Sequence, residues 1–349
     1  MMRGKIALEE AFNTPEIAKA TYGDTAELYG DPAKADDYSH RIVDILDTRL
    51  KDKDTYGIGY TILSHTVPGV QGIADKAEAE KTATHVNDYI ANKIKNHRTR
   101  FGAFATLSMH DPKQAGEELR RCVTQHGFHG ALLNDIQIAP GDNFLFYDQP
   151  AYDEFWKVVC ELDVPIYIHP AAPQGCIYEK QYKDRKYLIG PPLSFANGVS
   201  LHILGMISNG VFDRFPKLNI IIGHLGEHIP FDMWRIHHWF EDIEKPLGMK
   251  AKKTIKEYFN ENIWLTTSGH FSTETLNYCI SQVGADRILF SVDYPYETMK
   301  DACNWFDYRT EMGTGNKIAI GRENAKKLLK LKDYHDADAP LDCKFTSCG

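Results

Sequence analysis

Eight short apolar runs, each followed by a longer amphipathic or polar stretch, place the strongest constraint on what this 349-residue chain can fold into. They fall at 6–8, 60–64, 101–107, 131–134, 166–169, 220–223, 263–267 and 288–291. Most are rich in β-branched or aromatic residues and bounded by Gly, Pro, Asp or Asn, which is how buried strands read. Between them, 74–96, 112–126, 151–162, 194–212, 230–244, 273–283 and 324–331 read as helices, and Pro112 suits a first turn. Strands alternating with helices pair in parallel through crossovers. A count of eight predicts an α/β fold closed as a (β/α)8 TIM-like barrel, with a three-layer open sheet as the alternative. Residues 1–332 are read as one catalytic domain, 13–53 as an insertion over the barrel mouth, and 333–349 as a polar C-terminal tail.

Composition narrows the function. The chain is 43% hydrophobic and 25% charged, ordinary for a globular enzyme. Its net charge of −8 argues against a duplex nucleic-acid partner, which needs a basic face. Seven cysteines without a C-x-x-C pair indicate neither a disulfide framework nor a zinc knuckle, and fit a reducing compartment. The stretch 187–212 lacks Asp, Glu, Lys and Arg, but Pro191, Pro192, Asn197, His202 and Asn209 make it a buried loop and helix rather than a membrane span. With no signal-like start, a soluble cytoplasmic protein is expected. Phosphate-loop, nucleophile-elbow and dinucleotide fingerprints are absent, so no organic cofactor is expected.

A barrel carries its chemistry at the carboxyl ends of its strands. Those ends hold Glu9 and Glu10, His65, Asn134 and Asp135, His169, His224 and Glu227, His270, and Asp293. Each has a bland role available: a histidine bonding a loop carbonyl, Glu9 capping a turn, Asp293 bonding amides ahead of Pro295. Their joint placement at one mouth instead matches what a divalent cation needs. Thr266–Gly269 is read as a plain turn that could cradle an anion, and the aromatic-rich 234–240 as a helix packing on a partner.

These residues resemble the amidohydrolase superfamily, in its metal-dependent nonoxidative decarboxylase branch. Gly4-Lys-Ile-Ala-Leu-Glu-Glu-Ala-Phe12, Gly190-Pro-Pro-Leu-Ser-Phe-Ala196, Gly223-His-Leu-Gly-Glu-His-Ile-Pro230, Trp264-Leu-Thr-Thr-Ser-Gly-His-Phe-Ser272 and Arg287-Ile-Leu-Phe-Ser-Val-Asp-Tyr-Pro295 look like the fungal 2,3-dihydroxybenzoate decarboxylases. Salicylate and γ-resorcylate decarboxylases share much of this set. The resemblance implies Glu9, His169 and Asp293 as metal ligands, His224 and Glu227 beside the substrate, Arg235 near a subunit contact, and a homotetramer or homodimer. One departure is Ala11, where many superfamily members place a histidine two residues after the first acidic ligand. An oxygen-rich shell then favours Mg²⁺, with Zn²⁺ and Mn²⁺ as alternatives.

The expected reaction is decarboxylation of an ortho-hydroxybenzoate, 2,3-dihydroxybenzoate first, with salicylate or 2,6-dihydroxybenzoate as alternatives. The ion would hold a carboxylate oxygen and the ortho oxygen, and Asp293 would protonate the ipso carbon, with His224 and Glu227 also catalytic. Tyr294 and Tyr296 are expected to read the second ring hydroxyl. A single-metal hydrolase of an amide, ester or lactone is the rival on the same scaffold, and an aromatic-acid binding protein without turnover is the non-enzymatic one.

Overall fold

A computed structural model of the chain describes residues 1–23, 31–331 and 334. Eight parallel strands ring one axis: β1 (Lys5–Phe12), β2 (Ile58–His65), β3 (Phe101–Ala103), β4 (Ala131–Asn134), β7 (Ile166–His169), β8 (Ile220–Ile222), β9 (Ile263–Thr266) and β10 (Ile288–Leu289). They form two ladders, β1-β2-β3 and β10-β9-β8-β7-β4. One seam is closed by a parallel bridge between Ala105 and Ala131. At the other, the Asp293 amide donates to the Glu9 carbonyl (3.1 Å) and the Ala11 amide to the Tyr294 carbonyl (2.7 Å). The closed barrel is therefore the fold, and the open sheet is not.

Alternation along each strand divides the core in two. Ile166, Ile168, Ile220, Ile222, Ile263 and Leu265 point outward into the layer shared with the helices, each burial contributing about 2 kcal/mol. The residues between them, Tyr167, Ile221 and Trp264, join Ile6, Leu8, Ile62, Phe104 and Leu289 inside the barrel. Its floor is closed by Leu328 and Leu329 of the helix Asn324–Leu329 and by Tyr334, whose hydroxyl donates to the Gly4 carbonyl (2.7 Å). Tyr334 lies within the segment read from the sequence as a polar tail; its phenol is buried, and 333 and 335–349 lie outside the described residues.

Several boundaries moved. The run 101–107 is a strand only to Ala103, because Ala105 bridges to the next strand and the chain then leaves the ladder. The run 288–291 pairs only at Ile288 and Leu289, and Ser291 instead bonds β1 through its side chain. A short antiparallel hairpin, β5 (Gln137–Ala139) and β6 (Asn143–Leu145), was not anticipated. Neither were the helices Ile255–Glu261, Met299–Tyr308 and Thr314–Ile318. The segment 13–53 holds the helices Pro15–Ala20 and Pro32–Val43 and the start of a third, Thr48–Tyr56, which runs past its end. The charge-free 187–212 is a loop and the helix Ser194–Ser208, and no helix among the described residues is long and apolar enough to cross a membrane.

Candidate active site

The site begins with an irregularity in β1. Ala7 pairs with Thr61 and Glu10 with Leu63, so Leu8 and Glu9 together stand opposite Ile62 alone. Such a bulge re-aims side chains, and here it lets Leu8 join the barrel interior while Glu9 enters the mouth. The amides of Leu8 and Glu9 both donate to Ser291 Oγ, at 3.0 and 2.7 Å, which keeps these buried donors satisfied.

Glu9 is buried among hydroxyls. Tyr167 and Ser268 donate short bonds to Oε2, and Thr266 donates a longer one at 3.4 Å. A Cβ at Gly223 would crowd Glu9 Oε2 and the Tyr167 hydroxyl, at 3.0 Å each. The other oxygen, Oε1, is buried without a hydrogen-bond partner. It lies 3.0 Å from His169 Nε2 and 3.6 Å from His224 Nε2. His169 Nδ1 sits 2.8 Å from the Pro170 carbonyl, so its proton points there and the Nε2 lone pair is turned toward Oε1. Two lone pairs set face to face in a buried site call for a cation between them.

His224 and Glu227 reach the mouth through a left-handed turn after β8. His224, Leu225 and Glu227 have φ of 53°, 57° and 57°, with Gly226 at 87°. Non-glycine residues adopt this region at a cost of order 1 kcal/mol each and keep it where the surroundings demand it. The turn brings His224 Nδ1 to 2.7 Å from Glu227 Oε1 and leaves its Nε2 4.0 Å from Asp293 Oδ2. Asp293 itself has φ 76°.

The charges divide unevenly. Burial alone would raise Glu9, but the His224 charge, with the Ser268 hydroxyl, opposes it and holds Glu9 below the usual carboxylate range. Burial, then the Glu9 charge, pushes Asp293 well above the carboxylate range. Burial would lower His224, yet Glu227 and Glu9 raise it to about 10. Within the protein's own groups, Glu9 carries the charge, Asp293 the proton, and His224 is an imidazolium.

Glu9, His169 and Asp293 offer ligand atoms within 4.8 Å of one another, and among the described residues no other such trio occurs. They open onto a cleft walled also by Ala11, His65, Thr66 and Tyr296. A larger open groove by Trp239, Leu247 and Lys250 lies elsewhere and has no ligand cluster of this kind.

Two expected site residues lie elsewhere. Tyr294 is not a cleft wall: its ring is buried under the Arg49 guanidinium, 4.6 Å from the ring centroid, because Arg49 needs a face to cover its buried charge. Arg235 is exposed on the helix Ile229–Trp239. Tyr296 does wall the cleft, its hydroxyl tied to Thr66 (2.6 Å) and to Tyr38 of the helix Pro32–Val43 (2.9 Å). Sequence reasoning passed over Tyr167, Thr266 and Ser268. Thr266 and Ser268 belong to the segment considered as an anion cradle, and the anion they hold is the Glu9 side chain. Tyr167 stands two residues before His169 and so shares its face.

Residues 37–331 match the amidohydrolase family model. The chain belongs to the amidohydrolase family. It is 44% identical to a gamma-resorcylate decarboxylase of Rhizobium sp. (strain MTP-10005), over 95% of this chain and 99% of that one. A crystal structure of 2,6-dihydroxybenzoate decarboxylase complexed with 2,6-dihydroxybenzoate superposes with TM-score 0.89 at 42% identity, covering 95% of this chain and 100% of that one. A dihydroxybenzoic acid decarboxylase from Polaromonas sp. JS666, with bound manganese and the inhibitor 2-nitroresorcinol, superposes with TM-score 0.89 at 41% identity, over 95% and 98%. This amidohydrolase is an enzyme, a carboxy-lyase of the decarboxylase branch.

Proposed function

We propose that the cleft decarboxylates a hydroxybenzoate with a divalent ion held by Glu9, His169 and Asp293, and that 2,6-dihydroxybenzoate is the substrate. The observation that carries this reading is the buried, partnerless Glu9 Oε1 facing His169 Nε2 beside Asp293. An ion there supplies positive charge against which the substrate carboxylate and an ortho oxygen are fixed. The residue set suits the hard, oxygen-preferring ions, and Mg²⁺ or Mn²⁺ is expected ahead of Zn²⁺. The gamma-resorcylate relatives support the 2,6 isomer over the 2,3 isomer expected from the motifs.

The chain's own groups supply the rest. With the ion bound, Asp293 would give up the proton it otherwise carries and stand as a carboxylate; it then takes the proton of the substrate's ortho hydroxyl as the acid settles in the cleft, and delivers it to the ipso carbon. With aromaticity broken, the carbon–carboxylate bond breaks, its electron pair returns to the ring, and carbon dioxide leaves neutral. A solvent proton then restores the ortho hydroxyl. His224, kept cationic by Glu227, faces the negative charge that builds on the ring oxygens. The His169 ring is held by Pro170, and Tyr167, Thr266 and Ser268 hold Glu9, so the constellation is set before substrate arrives.

Exposed Phe231, Trp234 and Leu247, at 80%, 74% and 77%, support a homotetramer or homodimer built on the region that also carries Arg235. The deciding assay measures CO₂ release from 2,6-dihydroxybenzoate, 2,3-dihydroxybenzoate and salicylate, with and without chelator. Turnover of the 2,6 isomer should be fastest and should vanish on chelation. Chelator-resistant release would overturn the metal reading, and a faster 2,3 isomer the substrate.

A further inference from the structure

At the end of β2 the cleft has a second polar feature that the reaction does not use. His65 is 8% exposed and forms part of the cleft wall. Its Nε2 lies 3.3 Å from Asn13 Oδ1. That atom is an oxygen and not the amide nitrogen, because it also accepts the Thr14 backbone amide at 2.9 Å. Facing an acceptor already fixed by the backbone, Nε2 must carry the proton. Nδ1 is then a bare lone pair, and it is buried with no partner. Burial also pushes the ring's pKa down to about 4, so it is neutral at physiological pH.

A buried lone pair without a donor is an exception that calls for an explanation. The adjacent Ser64 Oγ, also a cleft residue, is likewise buried without a partner. Ala11 of β1 pairs in register with Ser64, and its methyl leaves the space beside them that a larger side chain would fill. The two polar regions of the cleft therefore differ in what they attract. The region at Glu9, His169, His224 and Asp293 is built for a cation and, through it, for oxyanions. A neutral lone pair repels an oxyanion and welcomes a hydroxyl.

We propose that His65 Nδ1, with Ser64 Oγ beside it, is the subsite for the second phenolic hydroxyl of a dihydroxylated aromatic acid, accepting its hydrogen bond and thereby selecting dihydroxy over monohydroxy substrates. This rests on the reading of the cleft as a hydroxybenzoate site. It assigns the discrimination to the neutral tautomer that Asn13 imposes. A phenol oxygen donates to His65 while the acid's carboxylate lies at the cation-binding end, so the ring enters in one orientation. An analogue without the second hydroxyl leaves the lone pair dry and unpaired, and so loses the affinity of one neutral hydrogen bond.

Calorimetric titration of the metal-loaded protein with 2,6-dihydroxybenzoate, 2,3-dihydroxybenzoate and salicylate tests this without relying on turnover. The wild type should bind at least one dihydroxy acid about tenfold more tightly than salicylate. His65→Leu should bring that ratio close to one. His65→Asn, which has the shape of the leucine variant but carries an acceptor oxygen where Nδ1 stood, should restore most of it. If the leucine variant does not melt cooperatively, His65→Gln, which displaces the acceptor, takes its place with the same expected loss. An unchanged ratio in His65→Leu or its substitute, or an asparagine variant no better than leucine, would overturn the subsite. Binding with this pattern but no CO₂ release would overturn the decarboxylase reading and leave the subsite standing.

Discussion

The two ends of the barrel are built from one alternation of residues and do opposite things with it. At the floor, Ile6, Tyr60, Trp264, Leu328, Leu329 and Tyr334 meet as one apolar plug, and the Tyr334 hydroxyl has its acceptor. At the mouth the inward positions are Glu9, His169, Thr266 and Ser268, followed by His224 and Asp293 in left-handed backbone. Unpartnered polar atoms gather at Glu9 Oε1, Ser64 Oγ and His65 Nδ1. The floor holds the fold, whereas the mouth stores strain and unmet hydrogen-bonding capacity that a ligand can relieve.

Substitutions at the two ends should therefore separate activity from stability. Glu9→Gln should lower kcat/KM by about a thousandfold, roughly 4 kcal/mol, and abolish metal retention. Steady-state kinetics with elemental analysis checks both. Tyr334→Ala should do the reverse, losing about 3 kcal/mol in denaturant unfolding while the folded fraction keeps its turnover. A floor variant that loses activity per folded molecule would break the division. Tyr167→Phe removes one of the donors that hold Glu9 Oε2, and metal affinity should weaken about tenfold in a competition titration.

The smallest expected effect is electrostatic. His224 is raised above its ordinary 6.5 to about 10, so the stability from its charge is complete below pH 6.5 and fades as pH rises through 10. Glu227→Gln lowers that upper limit. In metal-free protein, the alkaline fall in melting temperature should begin at lower pH in the variant, a difference of about 2 °C at pH 9. Superimposable curves would mean that Glu227 does not set the His224 charge.

The sequence made the ring of strands and the mouth visible because parallel strands must be continuous apolar runs, and whatever polar residue ends one lies at the same face. Glu9, His169 and Asp293, far apart in the chain, come within reach of one another for that reason. What it concealed depends on contacts with no local signature. The bulge at Leu8 and Glu9 needs Ser291 from the far side of the seam. Tyr294 and Tyr296 look alike in sequence, but Arg49 draws the first into the protein and Thr66 and Tyr38 hold the second at the cleft. In the turn after β8 only Gly226 hints at left-handed backbone. His65 reads as an ordinary strand-end histidine until Asn13 is seen to fix its tautomer.

The central claim is that three side chains from opposite parts of the chain grip one divalent ion. A crystal structure of the protein soaked with Mn²⁺, with the ion located by its anomalous scattering, tests it directly. The account predicts a single strong peak between Glu9 Oε1, His169 Nε2 and the Asp293 carboxylate. Full occupancy at another position, or an empty mouth at millimolar Mn²⁺, would contradict it.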